Sequence, residues 1–90
     1  MTVKINLHPN IRATIRCQKE LYAEGKTLGE CINEMDRKYG GFRDNLVGED
    51  GRIRRTLKVF INNVSTYPME LSMKLKDGDI VTIITYISGG

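Results

Sequence analysis

Thr27-Leu28-Gly29-Glu30-Cys31-Ile32-Asn33-Glu34-Met35-Asp36-Arg37-Lys38-Tyr39-Gly40-Gly41 reads as one amphipathic helix with both ends marked. Thr27 and Glu30 make a capping box, in which the threonine hydroxyl accepts from the backbone N–H of Glu30 and the glutamate carboxylate reaches back to the chain before the helix. Leu28, Cys31, Ile32, Met35 and Tyr39 recur at three- and four-residue steps, which lines them along one side and makes that side the core face. Gly40-Gly41 supplies the positive φ that stops it. Cys31 falls on the apolar stripe and is read as a small core residue, not a reactive thiol.

Before this helix, Val3-Lys4-Ile5-Asn6-Leu7 alternates apolar and polar residues, the pattern of a half-buried strand. His8-Pro9-Asn10 ends it. Ile11 to Arg16 fits no single pattern, and Gln18 to Ala23 reads as an edge strand returning in a hairpin, with Glu24-Gly25-Lys26 as the turn. After the helix, Phe42 to Arg55 is polar and punctuated by glycine, and reads as a long surface loop with Glu49-Asp50-Gly51 as a turn. Leu57 to Ile61 resumes alternation, Asn62-Asn63 suits the positive φ values of a tight hairpin turn, and Val64 begins the return. Leu75 to Asp79 is a further turn. Ile80-Val81-Thr82-Ile83-Ile84-Thr85-Tyr86-Ile87 is apolar on both faces and rich in β-branched residues, as a central strand requires.

The order β-β-α-β-β-β predicts an α+β chain of the β-grasp, ubiquitin-like arrangement. A mixed sheet of four to five strands carries one main helix on one face. The crossover through the helix places the first and last strands side by side and parallel in the middle. Residues 1–87 form the one domain and residues 88–90 a flexible C-terminal Gly-Gly tail. Alternation turns Leu57, Val59, Ile61, Val81, Ile83 and Ile87 inward. It leaves Phe60, Ile84 and Tyr86 on the uncovered face as a candidate docking patch beside the tail.

Composition excludes several classes. With 90 residues, 40% of them hydrophobic and 28% charged, the chain is that of an ordinary globular domain. No apolar run approaches the roughly 20 residues of a membrane span, and Met1-Thr2-Val3-Lys4 does not open a secretion signal, so a cytoplasmic protein is expected. Fourteen basic against 11 acidic residues give +3, too mild an excess to point to nucleic acid. Arg52, Arg54, Arg55 and Lys58 form a local basic run that reads as a solvated loop. Two cysteines, Cys17 and Cys31, and one histidine, His8, offer no catalytic pair, no zinc spacing and too few ligands for an iron–sulfur cluster. His8 is read as a surface residue in a turn. The chain is therefore not expected to be an enzyme or to hold a metal or cofactor of its own.

What remains is the end of the chain, Ser88-Gly89-Gly90. At average glycine usage near 7%, a terminal pair arises by chance in about 0.5% of chains, so Gly89-Gly90 is read as a working feature. Two residues without side chains can thread a channel that bulkier residues would block. A carboxylate delivered that way to ATP can be adenylated, after which a sulfur nucleophile displaces AMP and leaves a thiocarboxylate.

Asp77-Gly78-Asp79 leading into the final strand, together with Val59-Phe60-Ile61-Asn62, Thr27-Leu28-Gly29-Glu30 and the terminal Gly89-Gly90, resembles the MoaD/ThiS family of ubiquitin-like sulfur carriers across essentially the whole chain. The longer segment from Tyr39 to Arg55, with Asp50-Gly51-Arg52, is similar to the branch that serves cysteine biosynthesis. The resemblance implies that Gly90 is the reacting residue and that Ser88, Gly89 and Gly90, with Phe60, Ile84 and Tyr86, meet the partners. It implies an E1-like adenylyltransferase/sulfurtransferase that uses ATP and Mg, and a downstream sulfur-accepting synthase. In the cysteine branch these relatives work with a cysteine synthase and a metalloprotease. Molybdopterin, thiamin or a secondary metabolite as destination, and a ubiquitin-like modifier joined through Gly90, share the same tail chemistry. One departure stands out: family members commonly carry a proline shortly before the diglycine, where this chain reads Thr85-Tyr86-Ile87-Ser88, a sequence that lets the last strand run further.

Overall fold

A computed structural model describes residues 2–15 and 20–85. The chain forms β1 (Thr2–Leu7), α1 (Pro9–Ile15), β2 (Glu20–Glu24), α2 (Leu28–Lys38), α3 (Phe42–Leu46), β3 (Leu57–Ile61), β4 (Val64–Ser65), a 3-10 turn at Glu70–Ser72 and β5 (Ile80–Thr85). The five strands make one sheet in the order β2-β1-β5-β3-β4, with β1 and β5 parallel at its centre and the other pairs antiparallel. This is the expected β-grasp sheet, with the first and last strands adjacent.

Register explains the core. Leu21, Ile5, Val81 and Ile61 stand opposite one another across four strands, and Leu7, Ile83 and Val59 form a second row across three. All seven are buried, because side chains at every second position share one face. Onto that face α2 lays Leu28, Cys31, Ile32 and Met35, the expected stripe. The Thr27 hydroxyl accepts from the Glu30 N–H at 3.2 Å, and the Glu30 carboxylate accepts from the Lys26 N–H at 2.8 Å, closing the capping box one residue earlier than its usual form. At Gly25 the entering chain passes so close to α2 that a Cβ would stand 2.9 Å from the Cys31 backbone nitrogen, an approach only glycine permits.

Three expectations are corrected. His8-Pro9-Asn10 does more than end β1: it starts α1, with the His8 ring nitrogen Nδ1 accepting from the Asn10 N–H at 3.2 Å. Proline fits the first position of a helix, where its missing N–H is not needed. His8 is thus a half-buried cap, not a free surface residue. The helix α2 stops at Lys38 with Tyr39 extended, and Gly41, with φ of 86°, sits at the start of α3 instead of terminating α2. The segment from Phe42 to Arg55 is not a surface loop throughout. Phe42 and Leu46 on α3, followed by Val47 and Ile53, are buried in the same core, although the turn expected at Glu49-Asp50-Gly51 is present, closed by the Gly51 N–H on the Gly48 carbonyl.

Because the Thr27 hydroxyl satisfies an otherwise unpaired helix N–H, Thr27→Ala is expected to cost about 1 kcal/mol. For a domain of this size that lowers the melting temperature by roughly 4–8 °C, measurable by circular dichroism.

Candidate functional site

The final strand is fixed at its start. Asp77, Gly78 and Asp79 form the turn before β5, with Gly78 at φ of 87° and the Asp79 N–H on the Lys76 carbonyl. Asp77 Oδ1 accepts from the Thr2 N–H, Gly78 donates to the Thr2 carbonyl, and the Asp79 carbonyl accepts from Lys4. These three bonds tie the turn to β1. On the other side the Asp79 carboxylate accepts from Asn62 Nδ2 at 2.9 Å and from the Lys76 N–H at 2.8 Å, while Asn62 Oδ1 accepts from the Ile80 N–H at 3.0 Å. Asn62 and Asn63 hold φ values of 51° and 69°, the hairpin turn expected from their sequence. The Asp-Gly-Asp motif is therefore structural: it clamps the first residue of β5 between both neighbouring strands.

From that clamp β5 runs through the sheet centre to Thr85, opposite Leu57. Tyr86, Ile87, Ser88, Gly89 and Gly90 lie outside the described residues, and with them the expected extension of the strand and the tail itself. Of the expected docking patch, Phe60 and Ile84 share the sheet face away from the helices. They are diagonal neighbours across the Phe60–Thr82 and Lys58–Ile84 pairs and are both half-buried.

Cys31 is a free, fully buried thiol. Burial pushes its pKa from 9.0 up to about 11, and the carboxylates of Glu30 and Glu34 add to the shift. A group so poorly ionised is a weak nucleophile. Cys17 lies outside the described residues. Arg52, Arg54, Arg55 and Lys58, expected as solvated, are all exposed, and they line a groove in which Arg52 Nε donates to Glu70 at 2.9 Å and Arg54 donates to the Asp44 carbonyl at 3.0 and 2.7 Å. Sequence reasoning missed this groove because its walls, residues 50–55 and 65–70, are far apart along the chain. Among the described residues no group of His, Cys, Asp and Glu is arranged to hold a metal ion, and no helix is long and apolar enough to cross a membrane.

Residues 4–90 match the ThiS family. The chain belongs to the ThiS family. Sulfur carrier protein CysO of Mycobacterium bovis is 28% identical over 93 residues, an alignment covering 100% of both chains. A chain in the crystal structure of the Amycolatopsis orientalis BexX/CysO complex superposes with a TM-score of 0.86 at 27% identity, covering 98% of this chain and 99% of that one. The crystal structure of Mycobacterium tuberculosis CysO gives a TM-score of 0.86 at 26% identity over 94% of this chain and 99% of that one. Membership in the ThiS family places the protein among small ubiquitin-like sulfur carriers, not enzymes.

In a Cys17→Ser variant, Cys31 is expected to resist alkylation by iodoacetamide until the protein is denatured; native-state labelling at the rate of a free thiol would contradict its burial. The unfolded chain loses this proton near pH 9.0 and the folded chain only near 11. The raised pKa therefore contributes stability that is fully present below pH 9.0 and falls as pH rises toward about 11. Urea melts across that interval read the decline.

Proposed function

We propose that this ThiS-family protein carries sulfur as a thiocarboxylate on Gly90 and delivers it for cysteine biosynthesis. The observation that carries the reading is the alignment with CysO over the whole of both chains, in a sequence that reaches Gly90 five residues after Thr85. Five extended residues reach roughly 17 Å. That length is sufficient to enter a partner's active site while the domain stays outside.

In the first step the Gly90 carboxylate attacks the α-phosphorus of ATP, held with Mg by an E1-like enzyme, and pyrophosphate leaves. The resulting acyl adenylate has AMP as a good leaving group. Hydrosulfide then attacks the carbonyl carbon, the tetrahedral intermediate collapses with AMP as the leaving group, and the terminus keeps one oxygen and one sulfur. A thiocarboxylate is a softer nucleophile than a carboxylate and can attack an electrophilic carbon in a sulfur-accepting synthase, here a cysteine synthase. A metalloprotease then releases the amino acid built on the terminus. Glycine at positions 89 and 90 keeps the path to each active site narrow. Phe60, Ile84 and Tyr86, with Ser88, form the surface against which these partners close. The buried, poorly ionised Cys31 supports assigning the sulfur to the chain end instead of a thiol.

Expression with its own activating enzyme, followed by intact-mass measurement, is expected to show one terminal oxygen replaced by sulfur. Deletion of Gly90 is expected to abolish that product with no change in melting temperature. Recovery of Gly90 only in isopeptide linkage to lysines would make the protein a modifier, and full biological activity without Gly90 would end the carrier reading. Phe60→Ala is expected to raise KM for the activating enzyme several-fold with little change in kcat, since it removes contact area and leaves the reacting atoms alone.

A further inference from the structure

We propose that Asp50 is a self-modification site, at which the folded protein converts its own Asp50-Gly51 link to the isoaspartyl form and so creates a substrate for an isoaspartate-specific carboxyl methyltransferase. The inference stands apart from the sulfur chemistry of Gly90.

The chain holds two Asp-Gly pairs, Asp50-Gly51 and Asp77-Gly78, and no Asn-Gly pair. In an Asp-Gly pair the backbone nitrogen of glycine can attack the side-chain carboxyl carbon of the aspartate before it, because no β-carbon on the following residue blocks the approach. A bond forms between that nitrogen and Cγ of the protonated carboxyl, and the amide proton and the carboxyl hydroxyl leave together as water. The five-membered succinimide then takes up one water. Opening at the Cγ carbonyl restores aspartate. Opening at the backbone carbonyl breaks the original peptide bond and leaves the chain running through Cβ and Cγ, with a free α-carboxylate. Nothing is oxidised or reduced, and water is the only other reactant.

The two pairs are alike in sequence and unlike in setting. At Asp50 the carboxylate Oδ1 accepts from the Arg52 N–H at 3.0 Å. A side chain bonded to the N–H two residues on folds back over the nitrogen between them, here that of Gly51. Gly51 has a φ of 79°, its N–H donates to the Gly48 carbonyl at 3.0 Å, and residues 49–52 are all exposed. The turn is closed by bonds among residues 48–52, beside the isolated bridge of Val47 with Ile53. A local opening that leaves the sheet intact therefore frees the Gly51 nitrogen.

Asp77 is held across to another strand. Its Oδ1 accepts from the Thr2 N–H at 2.9 Å, the Gly78 N–H donates to the Thr2 carbonyl at 2.9 Å, and Asp79 ties the same turn to Lys4 and Asn62. Freeing the Gly78 nitrogen means parting β1 from the turn that sets β5. At Asp50 the added backbone methylene draws the carboxylate off the Arg52 N–H, while the Arg52 guanidinium stays on Glu70. The change is confined to the rim of the groove that Asp50 and Arg52 form.

The test ages the full-length protein at mildly acidic pH, well below its melting temperature, and locates isoaspartate by electron-transfer fragmentation of its peptides. Methyl transfer from S-adenosylmethionine by an isoaspartate methyltransferase gives a second readout. Isoaspartate is expected to accumulate at position 50 at least roughly tenfold faster than at position 77. In guanidinium chloride the two positions should approach equal rates, because the shared dipeptide alone then sets the chemistry. The aged protein is expected to show shifted NMR amides around residues 47–54 with the sheet unchanged. Equal rates in the folded protein, faster reaction at 77, no isoaspartate at 50, or amide shifts spread through the sheet would each overturn the proposal.

Discussion

The grip of β1 and β3 on the first residues of β5 is the constraint from which the remaining architecture follows. Asp77 and Gly78 bind the backbone of Thr2, and Asp79 binds both Lys4 and the side chain of Asn62. A strand held from both sides at one end has one register available. A slip by a single residue would turn Val81 and Ile83 out of the core. That penalty, the loss of two buried aliphatic side chains at roughly 1.5–3 kcal/mol each, is large against the total stability of a small domain. The buried rows across the sheet, the seat of α2 and the position of Thr85 all depend on it.

Much of this was visible in the residues because the relevant signals are local. The α2 helix announces itself through Thr27, Glu30 and the Leu28–Met35 stripe, all within one continuous segment. Asn62-Asn63 specify their turn through their own backbone preferences. The run from Ile80 is recognisable as a strand because its β-branched residues suit a position flanked by β1 and β3, although only Val81 and Ile83 are buried under the helices. What stayed hidden was short or shared between distant segments. A five-residue helix such as α3 offers too few positions for a period, so Phe42 and Leu46 pass for isolated apolar residues in a polar stretch. At α1 the His8-Pro9 pair reads as a breaker when it is a start, since proline ends a strand and opens a helix equally well.

The candidate residues divide along the same line. Glycines at a chain end can be read from sequence because their chemistry lies in lacking side chains. The groove beside β3 could not be read, because Arg55 and Tyr67 are brought together only by the pairing of β3 with β4 and by the contact of Arg52 with Glu70. The basic run is solvated as its sequence suggests, with Arg52 held on Glu70 and Arg54 on the Asp44 carbonyl. The acidic motif that accompanies the family resemblance is structural, and the cysteine on α2 is packed as a hydrophobic residue.

Because the turn at Asp77, Gly78 and Asp79 sets the register of β5, it also fixes where Thr85 stands, opposite Leu57. Changes of length in the loops before Asp77 leave that register, and with it the position of Thr85, where it was. The segment between Tyr39 and Arg55 can thus change in length, and reshape the groove it helps to build, without moving Thr85.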